Sequence, residues 1–186
     1  MTLHVLNKAT GRIEVVTDEL LANVKAVGYQ VAPSTLFTRP ADTTAYAAQD
    51  VVSNSTTAPT LLQFSGAARA NGGSGIILSA RHLKSGTTLA SYRLHLYRNN
   101  AVTPINDNAQ FPLLFANRAN RIGFIDFNHA TGGTGSDCSH ALSTYVGMPF
   151  ICDAAVSSLF GILTTTTAYT PASGEQHFIE LAIGQN

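Results

Sequence analysis

Apolar and polar positions alternate most cleanly over Ser91-Tyr92-Arg93-Leu94-His95-Leu96-Tyr97. A strand turns successive side chains to opposite faces, so Tyr92, Leu94 and Leu96 share one face while Arg93, His95 and Tyr97 share the other. The first face reads as core. The second reads as solvent or a partner surface, as in an antiparallel sheet covered on one side. Further strand-like runs fall at 49–54, 61–67, 75–83, 121–127, 145–152, 155–165 and 177–184, and 111–117 suits either a short strand or a helical turn. The run 155–165 is apolar on both faces and reads as a central strand. So is 121–127 apart from Asp126, which places it in the interior or at an interface. In the last run Ile179, Leu181 and Ile183 oppose Phe178, Glu180 and Ala182. Turn residues separate these runs at Gly72-Gly73-Ser74, Lys84-Ser85-Gly86-Thr87 and Tyr169-Thr170-Pro171-Ala172-Ser173-Gly174-Glu175. About eight strands without intervening helices predict an all-β fold, an antiparallel β-sandwich or jelly roll.

Residues 1–36 differ in character and read as an N-terminal arm. Thr10-Gly11 makes a turn into a short strand at 12–16, and Thr17 or Asp18 caps a short helix carrying Leu20, Leu21, Val24 and Val27 on one stripe, ended by Gly28. A helix that short needs something to dock on, either its own domain or a neighbouring subunit. Pro33 and Pro40 keep 31–40 extended, a connector in this reading, and Asp42-Thr43-Thr44 makes a side-chain-bonded turn.

With 186 residues the chain suits one domain with an appendage. Charged residues are only 12 %, which disfavours solvated helices, and eleven basic residues balance eleven acidic ones. A net charge of zero gives no general pull toward nucleic acid or an anionic membrane. The N-terminus lacks the basic and apolar regions of a signal peptide, and no apolar run has the length of a membrane span. Neither nucleic acid nor membrane is expected as a partner.

Candidate chemistry is sparse. Cys138 and Cys152 lack C-x-x-C spacing, so neither zinc nor a disulfide framework is implied. Gly72-Gly73-Ser74-Gly75 lacks phosphate-loop spacing and leads into a strand, so it reads as a hairpin turn. Asn106-Asp107-Asn108 offers one carboxylate, too few for a calcium loop. Residues 131–140 read as a flexible loop, and although it holds Asp137, Cys138 and His140, a triad's members converge from separate parts of a fold. His4, His82, His95, His129, His140 and His177 are scattered with no metal-binding pair spacing. No catalytic site, metal or cofactor is expected, and the chain reads as no enzyme.

Five stretches carry a family resemblance: Phe37-Thr38-Arg39-Pro40-Ala41-Asp42-Thr43-Thr44-Ala45-Tyr46, Asp50-Val51-Val52-Ser53-Asn54-Ser55, Ala80-Arg81-His82-Leu83-Lys84-Ser85-Gly86, Tyr92-Arg93-Leu94-His95-Leu96-Tyr97, and the turn from Tyr169 to Glu175. In order and spacing they resemble tailed-bacteriophage virion proteins of the capsid cement or decoration type, over residues 37–186. The resemblance implies a sandwich or jelly-roll domain at 37–186 that trimerises, binds the outer surface of the capsid and cements neighbouring capsomers of the major capsid protein. It also implies synthesis in the bacterial cytoplasm. It defines no active site, and it leaves a receptor- or glycan-binding head fibre or tail component as the alternative. Expected partner-facing residues are Leu20, Leu21, Val24 and Val27 of the arm and Arg93, His95 and Tyr97 of the alternating strand.

Overall fold

The computed structural model describes residues 29–186 in full and, ahead of them, the backbone of two strands. β1 (His4–Asn7) and β2 (Arg12–Val15) pair antiparallel, His4 opposite Val15. β2 is the short strand expected after Thr10-Gly11. The helix expected to carry Leu20, Leu21, Val24 and Val27 lies outside the described residues.

The chain then runs through β3 (Tyr29–Val31), β4 (Ser34–Thr38), β5 (Val51–Val52), β6 (Leu62–Phe64), β7 (Ser74–Ser85) and β8 (Ser91–Tyr97). It continues through β9 (Arg121–Asn128), a one-turn helix α1 (His129–Gly132), β10 (Cys138–Ser143), β11 (Met148–Ile151), β12 (Leu159–Thr165) and β13 (Gln176–Gln185). Three pairs, β3/β4, β5/β6 and β10/β11, each lie along the same neighbouring strand and act as one interrupted unit. Counted that way there are eight units, ordered 1-8-3-6 in one sheet and 2-7-4-5 in the other. Unit 4 pairs with 5, 3 with 6, 2 with 7 and 1 with 8, all antiparallel, as when one long hairpin is wound into a barrel-like roll. That is the jelly roll.

The interruptions have local causes. Pro33 separates β3 from β4 because it has no N–H to give the ladder, yet its carbonyl still accepts from Leu181 N at 3.0 Å. Tyr145 and Gly147, both at positive φ (56° and 59°), break β10 from β11, while Val146 N between them still bonds Leu78 O.

The core fills the gap between the sheets. Tyr92, Leu94 and Leu96 from β8 meet Ile179, Leu181 and Ile183 from β13, all fully buried. Every residue of β12 is buried, as its two apolar faces predicted. Its inner face joins this core, and its outer residues Phe160 and Ile162 join a second cluster with Val51, Tyr97 and Val102, roofed by Ile105 and Phe111 of the 99–111 segment. At Gly161 a Cβ would come within 2.8 Å of Leu94 Cδ1, so a side chain there would displace Leu94 in the core.

Two expectations are corrected. The connector at 31–40 contains β4, which pairs with β13 from Ser34 opposite Glu180 to Thr38 opposite Gln176. The flexible loop at 131–140 is partly ordered as α1 and the start of β10, whose backbone is captured by β7. Of the two options for 111–117 the turn is the one formed, as a 3-10 turn over 115–119, and β9 is an edge strand with Phe124 43 % exposed, which excludes the interior option for 121–127.

Candidate functional site

The string Arg39-Pro40-Ala41-Asp42-Thr43-Thr44-Ala45-Tyr46 is buried only at its two ends, Arg39 and Tyr46, while the residues between them are half-buried or exposed. Arg39 is enclosed, with Nη2 3.2 Å from Asp107 Oδ2 and 3.1 Å from Asp42 Oδ1. Its Nε donates to the Tyr46 hydroxyl at 2.9 Å, and that hydroxyl donates to Asp107 Oδ1 at 2.6 Å. Ser53 N donates to the same oxygen at 2.8 Å. Asp107, the carboxylate once weighed as a calcium ligand, is instead fully occupied in tying the 99–111 segment to the start of the roll. Asp42 accepts from Thr44 N at 2.9 Å, the expected turn.

From this knot a polar spine crosses the core. Tyr46 stacks on Tyr169, centroids 5.3 Å apart, and Tyr169 donates to Glu175 Oε1 at 3.0 Å. Lys84 Nζ pairs with Glu175 Oε2 at 2.9 Å, both groups enclosed. His177 Nε2 faces Glu175 Oε1 at 3.3 Å, without the alignment of a hydrogen bond. Then come three histidines in a row: His177 Nδ1 lies 3.0 Å from His82 Nε2, His82 Nδ1 3.0 Å from His129 Nε2, and His129 Nδ1 3.0 Å from Ser139 Oγ. Sequence spacing could not foretell this convergence, because the three come from β7, β13 and α1, and only the wound topology joins them.

Glu175 sets the tautomers of the row. A lone pair of His177 Nε2 aimed at a carboxylate would be repelled, so Nε2 carries the proton and Nδ1 accepts. His82 then donates from Nε2, His129 does the same, and Ser139 donates to His129 Nδ1: three neutral imidazoles aligned in one direction. Burial first, then the neighbouring histidines and Lys84, pushes His82 far below its ordinary value. Burial followed by Lys84 and His177 brings His129 down to about 4. Burial lowers His177 too, against the pull of Glu175. Burial opposes ionisation of Glu175, but His177 and Lys84 outweigh it and hold the carboxyl at about 2. With both ring nitrogens of His82 engaged by other rings, the row is a hydrogen-bonded strut, and no metal-holding group of His, Cys, Asp and Glu occurs among the described residues.

Exposed apolar residues lie outside this spine. The 1-8-3-6 sheet has an open outer face whose register aligns Leu36, Phe178 and Leu83 in one row and Glu180, Arg81 and Leu142 in the next. Leu36 is 62 % exposed, Leu142 58 % and Ile151 60 %, with Ile76 and Leu78 beside them. One ion pair, Arg81 to Glu180 at 2.8 Å, interrupts the apolar field. Exposed apolar residues concentrated on one face are characteristic of protein contact sites.

The partner-facing strand expected from sequence lies on the other sheet. His95 and Tyr97 are buried there, Tyr97 within the second cluster and His95 stacked on Phe111 at 4.2 Å, so only Arg93 of the three remains part-exposed. Arg93 is engaged by Asp126 through two bonds of 2.7 and 2.8 Å. Alternation correctly gave the side of each residue; it could not reveal a roof supplied by a loop that starts two residues later. Cys138 opens β10 opposite Ser85, and no hydrogen bond joins its sulfur to His140 among the described residues; Cys152 is buried, and both thiols are free.

No family model and no curated protein matches the chain. Solved structures with some likeness are those of Triatoma virus, at 12 % identity and a TM-score of 0.26 over 94 % of this chain and 69 % of that one, and of a marine algae virus of the order Picornavirales, at 9 % and 0.28 over 86 % and 69 %. Black queen cell virus follows at 10 % and 0.25 over 90 % and 74 %.

Proposed function

We propose that the protein is a non-enzymatic virion component that binds the outer surface of a phage capsid as a homotrimer and cements neighbouring capsomers of the major capsid protein. The observation that carries this reading is where the family-like motifs fall. Arg39 and Tyr46 from the first stretch, His82 and Lys84 from the third, Tyr92 from the fourth, and Tyr169 and Glu175 from the last lie along one buried spine. The resemblance therefore lies in residues that specify this jelly roll, and not merely in turn composition. The open apolar face of the 1-8-3-6 sheet supplies a contact surface, and near-zero net charge suits a subunit held within an assembly. Leu20, Leu21, Val24 and Val27 of the arm add contact to a neighbouring subunit in this reading. Among the described residues no helix is long and apolar enough to cross a membrane.

Phage particles lacking the protein should lose their DNA at a temperature several degrees lower, and adding the purified protein back should restore them. Leu36→Glu with Leu142→Glu should leave the fold intact by circular dichroism yet bind depleted particles at least tenfold more weakly. Unchanged particle stability, or full occupancy by the double variant, sinks the cement reading. A receptor- or glycan-binding role is the second reading; it is favoured by a cavity of about 310 Å³ lined by Arg93, His95 and Arg121, and labelling of the tail tip in electron micrographs would select it.

A further inference from the structure

A cavity of about 310 Å³ opens on the outer face of the 2-7-4-5 sheet, between β8, the end of β12 and the strand-like stretch around Phe111. Arg121 belongs to its wall because of an irregularity in the ladder. Leu96 pairs with Gly123 but Tyr97 pairs with Arg121, so Ile122 is the extra residue of a bulge. A bulge re-aims the side chains beside it, and this one turns Arg121 to the side of His95 and Tyr97. Arg39, Arg81 and Arg93 each pair with a carboxylate, whereas Arg121 has no carboxylate within ion-pair distance among the described residues. Its guanidinium donates to His95 Nδ1 at 3.4 Å, which leaves most of its fork of donors free.

His95 is fixed as an acceptor toward Arg121. Its Nε2 meets Thr164 Oγ1 at 3.3 Å, and that hydroxyl donates to the Arg93 carbonyl at 3.3 Å, so Nε2 must carry the proton. Burial, then Arg121 and Arg93, keeps His95 down at about 4, and it is neutral at ordinary pH. The pocket thus holds two guanidinium groups against one carboxylate, Asp126, which is already bound to Arg93. At its rim the Gln49 amide and the Thr166 hydroxyl make no hydrogen bond among the described residues, and Gln49 is held at a φ of 73°, a left-handed value uncommon for its type. Phe111 and Leu113 supply apolar wall.

We infer that this pocket binds an acidic sugar, its carboxylate on the Arg121 fork, its hydroxyls on Gln49 and Thr166, and its C–H face against Phe111 and Leu113. The volume accepts one sugar ring. A planar guanidinium with free parallel donors matches a carboxylate. The hydroxyl partners distinguish an acidic sugar from a bare carboxylate. The inference is independent of where the protein sits on a particle.

The test is a titration of the whole protein with D-glucuronate, D-glucose and acetate, followed by NMR shifts or calorimetry. Glucuronate should bind saturably, at least tenfold more tightly than either glucose or acetate. Arg121→Gln should lose at least tenfold in glucuronate affinity while keeping the wild-type circular dichroism and melting temperature. Thr166→Val should weaken glucuronate without changing acetate. Equal affinity for glucose removes the carboxylate reading, equal affinity for acetate removes the sugar, and absence of saturable binding or an unaffected Arg121→Gln overturns the site altogether.

Discussion

Arg39 and Asp107 are both enclosed and meet at 3.2 Å, so each depends on the other for its charge. Removing one partner of a buried pair leaves an uncompensated charge and costs about 3–5 kcal/mol, whereas replacing both by apolar groups of similar volume is far milder. Asp107→Ala should therefore lower the stability measured by urea unfolding by about 3 kcal/mol or more. It also strips Ser53 N and the Tyr46 hydroxyl of their acceptor. Arg39→Met combined with Asp107→Leu should cost less than the two single changes added together. A loss below about 1 kcal/mol for Asp107→Ala would mean that Asp42 alone satisfies Arg39, and the knot would lose its role. The sequence offered no reason to join residue 39 to residue 107, since both sat in stretches read as turn and connector. Buried polar pairs leave no periodic trace, and alternation reports only which side a residue takes.

Strands marked by apolar alternation or by an unbroken apolar run were legible because both are properties of the chain alone: β7, β8, β12 and β13 all fall within a few residues of their expected bounds. β4 escaped for a physical reason. Ser34-Thr35-Leu36-Phe37-Thr38 holds two large apolar residues side by side, with Leu36 on the open face, so no alternation marks it, and the flanking prolines suggest an extended connector. Its ladder to β13 nevertheless covers what would otherwise be a free sheet edge, and an uncovered edge invites pairing with other chains. A chain trimmed to residues 29–186 should consequently fold cooperatively and remain soluble. One trimmed to 39–186, which removes β3 and β4 and exposes β13, should melt at a clearly lower temperature and aggregate on heating. Equal melting temperatures for the two would return residues 29–38 to the arm. β10 escaped similarly: Cys138-Ser139-His140-Ala141-Leu142-Ser143 follows a glycine-rich stretch and lacks bulky inward residues, because Ser139 and Ala141 face a core already filled by the histidine row.

For the molecule as a whole, the two sheets are joined across their interface by apolar packing and by one polar spine, and the spine makes the fold sensitive to acid. His82, His129 and His177 lie between β7, β13 and α1, faced by Lys84, Glu175, Tyr92, Tyr169 and Ser139, while His95 stands on the opposite side of β8 among Arg93, Arg121 and Asp126. All four histidines have folded-state values below the ordinary 6.5. The unfolded chain therefore binds more protons than the folded one between 6.5 and the depressed values, and stability is complete above about pH 6.5 and falls as the pH drops toward 4. One such group contributes a slope of about 1.4 kcal/mol per pH unit, so several acting together make the loss steep. Glu175 works in the same direction but later: its contribution is present above its ordinary 4.5 and disappears as the pH falls toward 2. The alignment of the row sharpens this. One proton can be accepted at His129 Nδ1 if the Ser139 hydroxyl turns to receive it, but a second sets donor against donor between neighbouring rings and adds charge beside Lys84. Urea midpoints should accordingly stay level from pH 8 to 7, then drop between pH 6.5 and 4.5 with a slope greater than one histidine can supply, and His129→Gln should flatten that slope even if it lowers the neutral-pH midpoint. A midpoint that stays level down to pH 4.5 would show that the three imidazoles titrate as freely in the fold as outside it, and the strut between the sheets would then not depend on their neutrality.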